Sequence, residues 1–310
     1  MLGMRRVLGI MLSELVEQDD RFVFINADVA RYFGAEKFAE QYPEHYIDVG
    51  IAEQNMITVA AGMQKEGFNT MTATYATFTT SRALDQIRDS LAYMTIPVKM
   101  IGVGGGLGEG DLGATHMGLE DVSNIRTLPG ITIVEPADCV ELIKTLQSMI
   151  NYNHPVYIRM TGKTNQPMIY KEDYHFKIGK ANVLRQGNSR ITLICAGTIT
   201  AQALKAADTL KKEHNLDVDV IDMHTIKPLD TDMLNDLSSP NNTIIVLEEH
   251  MKVGGLGSAV VEYYAGRTEH PRVIVQGIED YPRANDYKEL LKQVMMDSEG
   301  ICKTVLNEVS

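Results

Sequence analysis

The sequence predicts an α/β protein of two successive units, a first with a mainly parallel sheet and a second, smaller one. Three observations lead there. Short β-branched runs alternate with helical patterns along the chain, the way parallel layers are encoded. At 310 residues, 44% of them hydrophobic, the chain is too long for one ordinary core and suits two. A polar, turn-rich stretch near residue 170 divides a longer series of such runs from a shorter one.

The first stretch, "MLGMRRVLGIMLSELVEQDD", carries Leu8, Met11, Leu12 and Leu15 at helical spacing. Glu14 and Glu17 interrupt its apolar run, so it reads as an amphipathic helix and not a signal peptide. Strands follow in "FVFINAD", "YIDVG", "NTMTATY", "PVKMIGV", "ITIVEP" and "PVYIRM". Between them "EQNMITVAAGMQKEG", "SRALDQIRDSLAYM" and "DCVELIKTLQSMI" show apolar residues at three-to-four spacing, with Gly67 and Pro97 at helix ends. This unit spans 1–165. Residues 166–190 read as a linker, with a hairpin expected in "FKIGKANVL". The second unit, 191–310, has strands in "ITLICAG", "DVDVIDMHT", "TIIVLEE" and "RVIVQGIE" and a helix in "AQALKAADTLKKEH".

Composition narrows the function classes. A net charge of -12 and a pI near 5.1 leave no basic face for nucleic acid. The three cysteines, Cys139, Cys195 and Cys302, lie far apart without a C-x-x-C pair. That suits buried thiols in a reducing, cytoplasmic setting and no structural zinc. No stretch reaches the length of a membrane span.

Chemistry concentrates in a few places. "GEGDLG", Gly108 to Gly113, matches G-x-G-x-x-G after a strand. Glu109 and Asp111 inside it would repel a phosphate, and it does not follow the first strand, so a dinucleotide site is rejected. A mobile loop is expected instead, one that lets backbone approach a ligand, with His116 facing the substrate. Tyr75 and Phe78 stand where a strand meets a helix and could wall a planar ligand. Glu53 sits at the changeover in "YIDVGIAEQNMITVAAGM". An acid near a helix N-terminus is favoured by the dipole and needs no function by itself. Beside the loop, His116 and the two rings, a functional carboxylate is the better account.

Together these residues resemble the C-terminal half of transketolase, over the whole chain. "IDVGIAEQNMITVAAGM" is similar to the pyrimidine-binding segment shared with 1-deoxyxylulose-5-phosphate synthase, and "GLGEGDLGATHMGLEDVSNIRTLPGITIVEPADCVEL" to the substrate-loop segment. The resemblance implies a pyrimidine-binding domain followed by a transketolase C-terminal domain. It implies thiamine diphosphate as cofactor, with Glu53 bonded to the aminopyrimidine N1′, Asp28 nearby, and Tyr75 and Phe78 flanking the ring. His116 would contact sugar hydroxyls or the carbonyl oxygen, Arg159 and Arg5 would bind a substrate phosphate, and Asp111 is a further substrate contact. Two positions depart from the family: Leu112 stands for an aspartate and Gly104 for a histidine. The diphosphate-binding half with its G-D-G…N magnesium motif is not in this sequence.

The implied protein is the C-terminal subunit of a two-component transketolase. It would move a two-carbon ketol unit from a ketose, phosphorylated as in the family, to an aldose. An N-terminal partner subunit, in an α2β2 assembly, would hold Mg2+ and the diphosphate. Rival readings are a split deoxyxylulose-phosphate-synthase-like enzyme, a 2-oxo acid dehydrogenase β-subunit, and a non-catalytic scaffold subunit. "GATHMGLED" where the dehydrogenase typically has "HSQ" ranks that subunit lower.

Overall fold

A computed structural model describes residues 3–162 and 166–308. The expected end of the first unit at 165 falls outside the described residues. Among the described residues twelve strands follow in chain order: β1 (Phe22–Asn26), β2 (Tyr46–Asp48), β3 (Asn69–Tyr75), β4 (Lys99–Gly105), β5 (Thr132–Val134) and β6 (Val156–Thr161), then β7 (Asn182–Arg185), β8 (Ile191–Cys195), β9 (Asp219–Asp222), β10 (Thr225–Lys227), β11 (Thr243–Met251) and β12 (Arg272–Ile278). They form a seven-stranded sheet, β10-β5-β6-β4-β3-β1-β2, and a five-stranded sheet, β12-β11-β8-β9-β7. All pairs in the first are parallel except β10 with β5.

The alternation of side chains along β1 explains the layering. Val23 and Ile25 join Met56, Ile57, Ile87 and Leu91 on one face, while Phe22 and Phe24 join Leu8, Leu12, Leu142 and Leu146 on the other. Strands buried on both faces are what continuous apolar runs specify. The helix Met4–Gln18 buries Leu8, Met11, Leu12 and Leu15, the stripe its spacing encodes.

Two local expectations fail. "DVDVIDMHT" is not one strand but the whole of β9 and the first residue of β10, which leave for different sheets. The second unit thereby lends the first sheet its antiparallel edge. "FKIGKANVL" forms no hairpin, because β7 pairs with the distant β9. Sequence-local turn cues cannot see a partner some forty residues away.

The polar linker is tied down across the junction. The Asp138 carboxylate accepts from the amides of Ile169 and Tyr170 at 2.7 and 2.9 Å. Tyr170 donates to Asp222 at 2.6 Å and Tyr174 to Glu141 at 2.9 Å, with the two tyrosine rings stacked 4.1 Å apart. Burial pushes Glu141 up to about 7 from 4.5, and burial with the nearby Glu141 carboxylate raises Asp222 well above its usual range. Burial likewise raises Glu135 to about 7 and Glu248 to about 8.

These groups bind protons more tightly folded than unfolded, so their stabilisation is full at low pH. It declines as pH rises past the range in which the unfolded carboxyls ionise and is lost above the raised folded values. Thermal melts should therefore show stability falling between about pH 5 and 7, with a shallower fall in Glu141→Gln. An unchanged slope in that variant would refute the assignment.

Candidate active site

The strand order places β2 on one side of β1 and β3 on the other. Chain direction across the sheet reverses there, and open α/β sheets bind ligands in the crevice at such a point, beyond the carboxyl ends of the strands. A cavity of about 480 Å³ lies in that place. The segment after β1 contributes Asp28, Arg31 and Tyr32; the one after β2 contributes Ile51 and Glu53; Tyr75 ends β3, Phe78 follows it, and His116 follows β4. Five residues scattered over 89 positions of sequence, Asp28, Glu53, Tyr75, Phe78 and His116, thus line one cavity.

Glu53 opens the helix Glu53–Lys65 and is only 2% exposed. A carboxylate buried this far needs a partner. Arg82 provides it: its Nη1 lies 2.8 Å from each carboxylate oxygen, and the guanidinium sits 4.2 Å from the centre of the Phe78 ring. Both Phe78 and Arg82 belong to a π-helical turn, Phe78–Arg82, a conformation that is rare and concentrated at functional sites.

The rings form a continuous cluster. Tyr75 and Phe78 stand 5.6 Å apart edge-on, His116 packs 5.4 Å from Tyr75 and 5.3 Å from Phe78, and Tyr32 packs 4.9 Å from Tyr75. Burial raises the Tyr32 and Tyr75 hydroxyls above the usual phenol range, so both remain donors at neutral pH. Asp28 has φ +57°, a left-handed backbone that costs a non-glycine residue about 1–2 kcal/mol. The Asp48 carboxylate holds it there, accepting from the amides of Asp28 at 3.0 Å and Gly50 at 2.9 Å.

Three expected substrate contacts lie elsewhere. Arg159, expected to bind a phosphate, is fully buried beneath the junction. Its Nε donates to Asp121 at 2.7 Å and Nη1 to Glu135 at 2.9 Å, while Nη2 reaches the carbonyls of Gly118 and Glu249 at 2.8 and 2.9 Å. The guanidinium is consumed by protein. Arg5, not fully buried, pairs with Glu109 and lies 3.9 Å from the centre of the Tyr32 ring. Asp111 is exposed on the short 3-10 turn Gly110–Leu112, outside the cavity lining, beside the half-exposed Leu112.

The glycine-rich loop differs too: residues 104–110 are buried, not a freely exposed loop. Gly106 donates to the Gly118 carbonyl at 2.7 Å, and Asn285 of the second unit donates to the Gly110 carbonyl at 3.1 Å. At Gly110 a Cβ would lie 2.2 Å from the Leu290 side chain. The glycines here permit close packing between the two units.

Sequence reasoning missed Tyr32, Arg82 and Glu109. Arg82 had a usable signal, a cation four residues after Phe78 on a helical segment. Tyr32 and Glu109 had none, since their contact spans 77 positions.

Comparison with known proteins matches two family models in succession along the chain. Residues 1–166 match the family model of the transketolase pyrimidine binding domain, and residues 179–301 that of the transketolase C-terminal domain. The chain is 35% identical over 310 residues to one of the subunits of the apulose-4-phosphate transketolase of Phocaeicola vulgatus, covering 100% of this chain and 98% of that protein. It superimposes on a split-gene transketolase, solved as an inactive β4 tetramer, with a TM-score of 0.89, 30% identity, and coverage of 99% and 98%. Campylobacter jejuni transketolase has the same fold at 21% identity and a TM-score of 0.82; 99% of this chain matches 46% of that one.

Proposed function

Because the chain belongs to the transketolase family, and is its pyrimidine-binding and C-terminal part in split form, we propose that it works as one half of a two-component transketolase. The reaction is transfer of a two-carbon ketol unit from a ketose to an aldose. The observation that carries this reading is Glu53, a buried carboxylate that lines an aromatic-walled cavity at the sheet's switch point.

The residues fit the aminopyrimidine end of thiamine diphosphate. A flat heterocycle suits the cluster of Tyr75, Phe78 and His116, and its ring nitrogen suits the buried carboxylate beside them. When bound, thiamine diphosphate supplies a nucleophilic carbon and an electron sink. Glu53 then holds a proton at the N1′ nitrogen and exchanges it during turnover. Phe78 and Tyr75 orient the ring, with Asp28 at the rim. His116, on the same wall, binds a sugar hydroxyl or the carbonyl oxygen.

The described residues contain no cluster of His, Cys, Asp or Glu able to hold a metal ion. We assign Mg2+ and the diphosphate to an N-terminal partner subunit, in an α2β2 assembly. The inactivity of the β4 tetramer of the split-gene relative supports that need for a partner. Incubating the chain with such a partner, cofactor, ketose and aldose should yield the ketol-transfer product without CO2. Release of CO2 from pyruvate would favour the synthase or dehydrogenase chemistry instead.

A further inference from the structure

Glu109 stands outside the cavity lining, yet it is only 7% exposed and receives two hydrogen bonds from distant parts of the chain. The Tyr32 hydroxyl donates to its Oε1, and so does Arg5 from the first helix. Arg5 also stacks on the Tyr32 ring, so the phenol is gripped at its hydroxyl and on its face. Tyr32 in turn leans on Tyr75, and Tyr75 on both Phe78 and His116.

The backbone is shaped around this carboxylate. Gly104 has φ +70°, and a Cβ there would lie 2.6 Å from Glu109 Cγ. A larger residue at 104 would evict the Glu109 side chain. Gly104 and Glu109 therefore form one device, which accounts for the glycine in a position where the family resemblance implies histidine.

We propose that Glu109 is a positioning residue, which through the Tyr32 hydroxyl sets the aromatic wall of the active-site cavity. Arg5 is its counter-ion, and the pair ties the glycine-rich loop to the first helix. The inference rests on the cofactor site proposed above only for its catalytic consequence; the mechanical part concerns this chain alone.

The test uses Glu109→Ala, Glu109→Gln, Tyr32→Phe and the double variant Glu109→Ala/Tyr32→Phe. Amide hydrogen exchange of the purified chain reads the mechanical part without partner or cofactor. Losing a charge-assisted bond should speed exchange at 28–34 and 104–113 by about tenfold or more in Glu109→Ala and Tyr32→Phe. The double variant should go no further than Glu109→Ala, and Glu109→Gln, which keeps an acceptor, should restore most of the protection. In the assembled enzyme, Glu109→Ala should lower kcat roughly 10- to 100-fold with a smaller change in KM, as expected for a displaced wall.

Unchanged exchange at 28–34 in Glu109→Ala, or effects that add in the double variant, would overturn the proposal. Tyr32→Phe covers the case in which Glu109→Ala fails to fold, since it removes only the hydroxyl. A failure in exchange with activity of the complex intact would sink this inference alone. Expected exchange with an inactive complex would sink the functional reading alone.

Discussion

Replacing Arg159 with leucine is expected to cost about 3–5 kcal/mol of stability, a loss on the order of 10 °C in melting temperature for a chain of this size. The arginine meets Asp121 through Nε at 2.7 Å and Nη2 at 3.0 Å, and Glu135 through Nη1 at 2.9 Å. All three side chains are buried. Without the guanidinium, two carboxylates and the carbonyls of Gly118 and Glu249 stay in a buried junction without that donor. Tyr157 still donates to Asp121, at 2.7 Å. Circular dichroism melts measure the effect, and Asp121→Asn with Glu135→Gln should recover part of it by removing the stranded charge. A melting temperature within about 2 °C of the parent would contradict the assignment of Arg159 to the fold.

The second large effect is on turnover. Glu53→Gln should reduce kcat of the assembled enzyme by on the order of 10²–10⁴, the range for a lost general acid–base group. The amide is nearly isosteric and can still accept from Arg82, so the fold and subunit assembly should persist. It cannot exchange a proton with a ring nitrogen. A Glu53→Gln enzyme that retains most of its activity would favour the scaffold reading, in which the carboxylate merely sits in the favourable field of a helix N-terminus and pairs with Arg82. Loss of assembly in the variant would place the defect in structure instead, so gel filtration accompanies the assay.

Much of this site is legible in the sequence because the residues obey local rules. Glu53 follows a short strand and opens a helix, Tyr75 ends a strand, and Phe78 and His116 come after strand ends. Any α/β reading sends such positions to one edge of the sheet. Asp28 follows the first strand and reaches the same edge. The parts that were not legible depend on pairing over long distances. Arg159 looks like a free cation in "YIRM", and only the fold brings Asp121 and Glu135 against it. Arg5 looks available until Glu109 closes on it from 104 positions away. The burial of the glycine-rich loop likewise comes from packing against Asn285 and Leu290 of the second unit.

The second sheet shows the same limit from the other side. Its switch point lies between β8 and β11, where an isolated α/β domain would bind a ligand. Here the first unit fills it. Glu249, near the end of β11, accepts from the Leu107 amide at 3.3 Å, from Thr198 at 3.1 Å and from Tyr287 at 2.7 Å. A Cβ at Gly197 would lie 2.2 Å from the Glu135 carboxylate and 2.5 Å from the Thr161 hydroxyl. Burial raises Glu249 above the ordinary carboxylate range. The smaller unit's crevice is thus taken up by the junction, and the cavity lined by Glu53, Tyr75, Phe78 and His116 lies at the switch point of the larger sheet.

The most direct measurement is calorimetric titration of thiamine diphosphate with Mg2+ into this chain alone, the N-terminal partner alone, and an equimolar mixture. Binding in the mixture only, weakened when Phe78 is replaced by alanine in this chain, is the expected result for a site built from both subunits. Equal binding to the partner alone, or tight binding to this chain alone, would contradict a shared site.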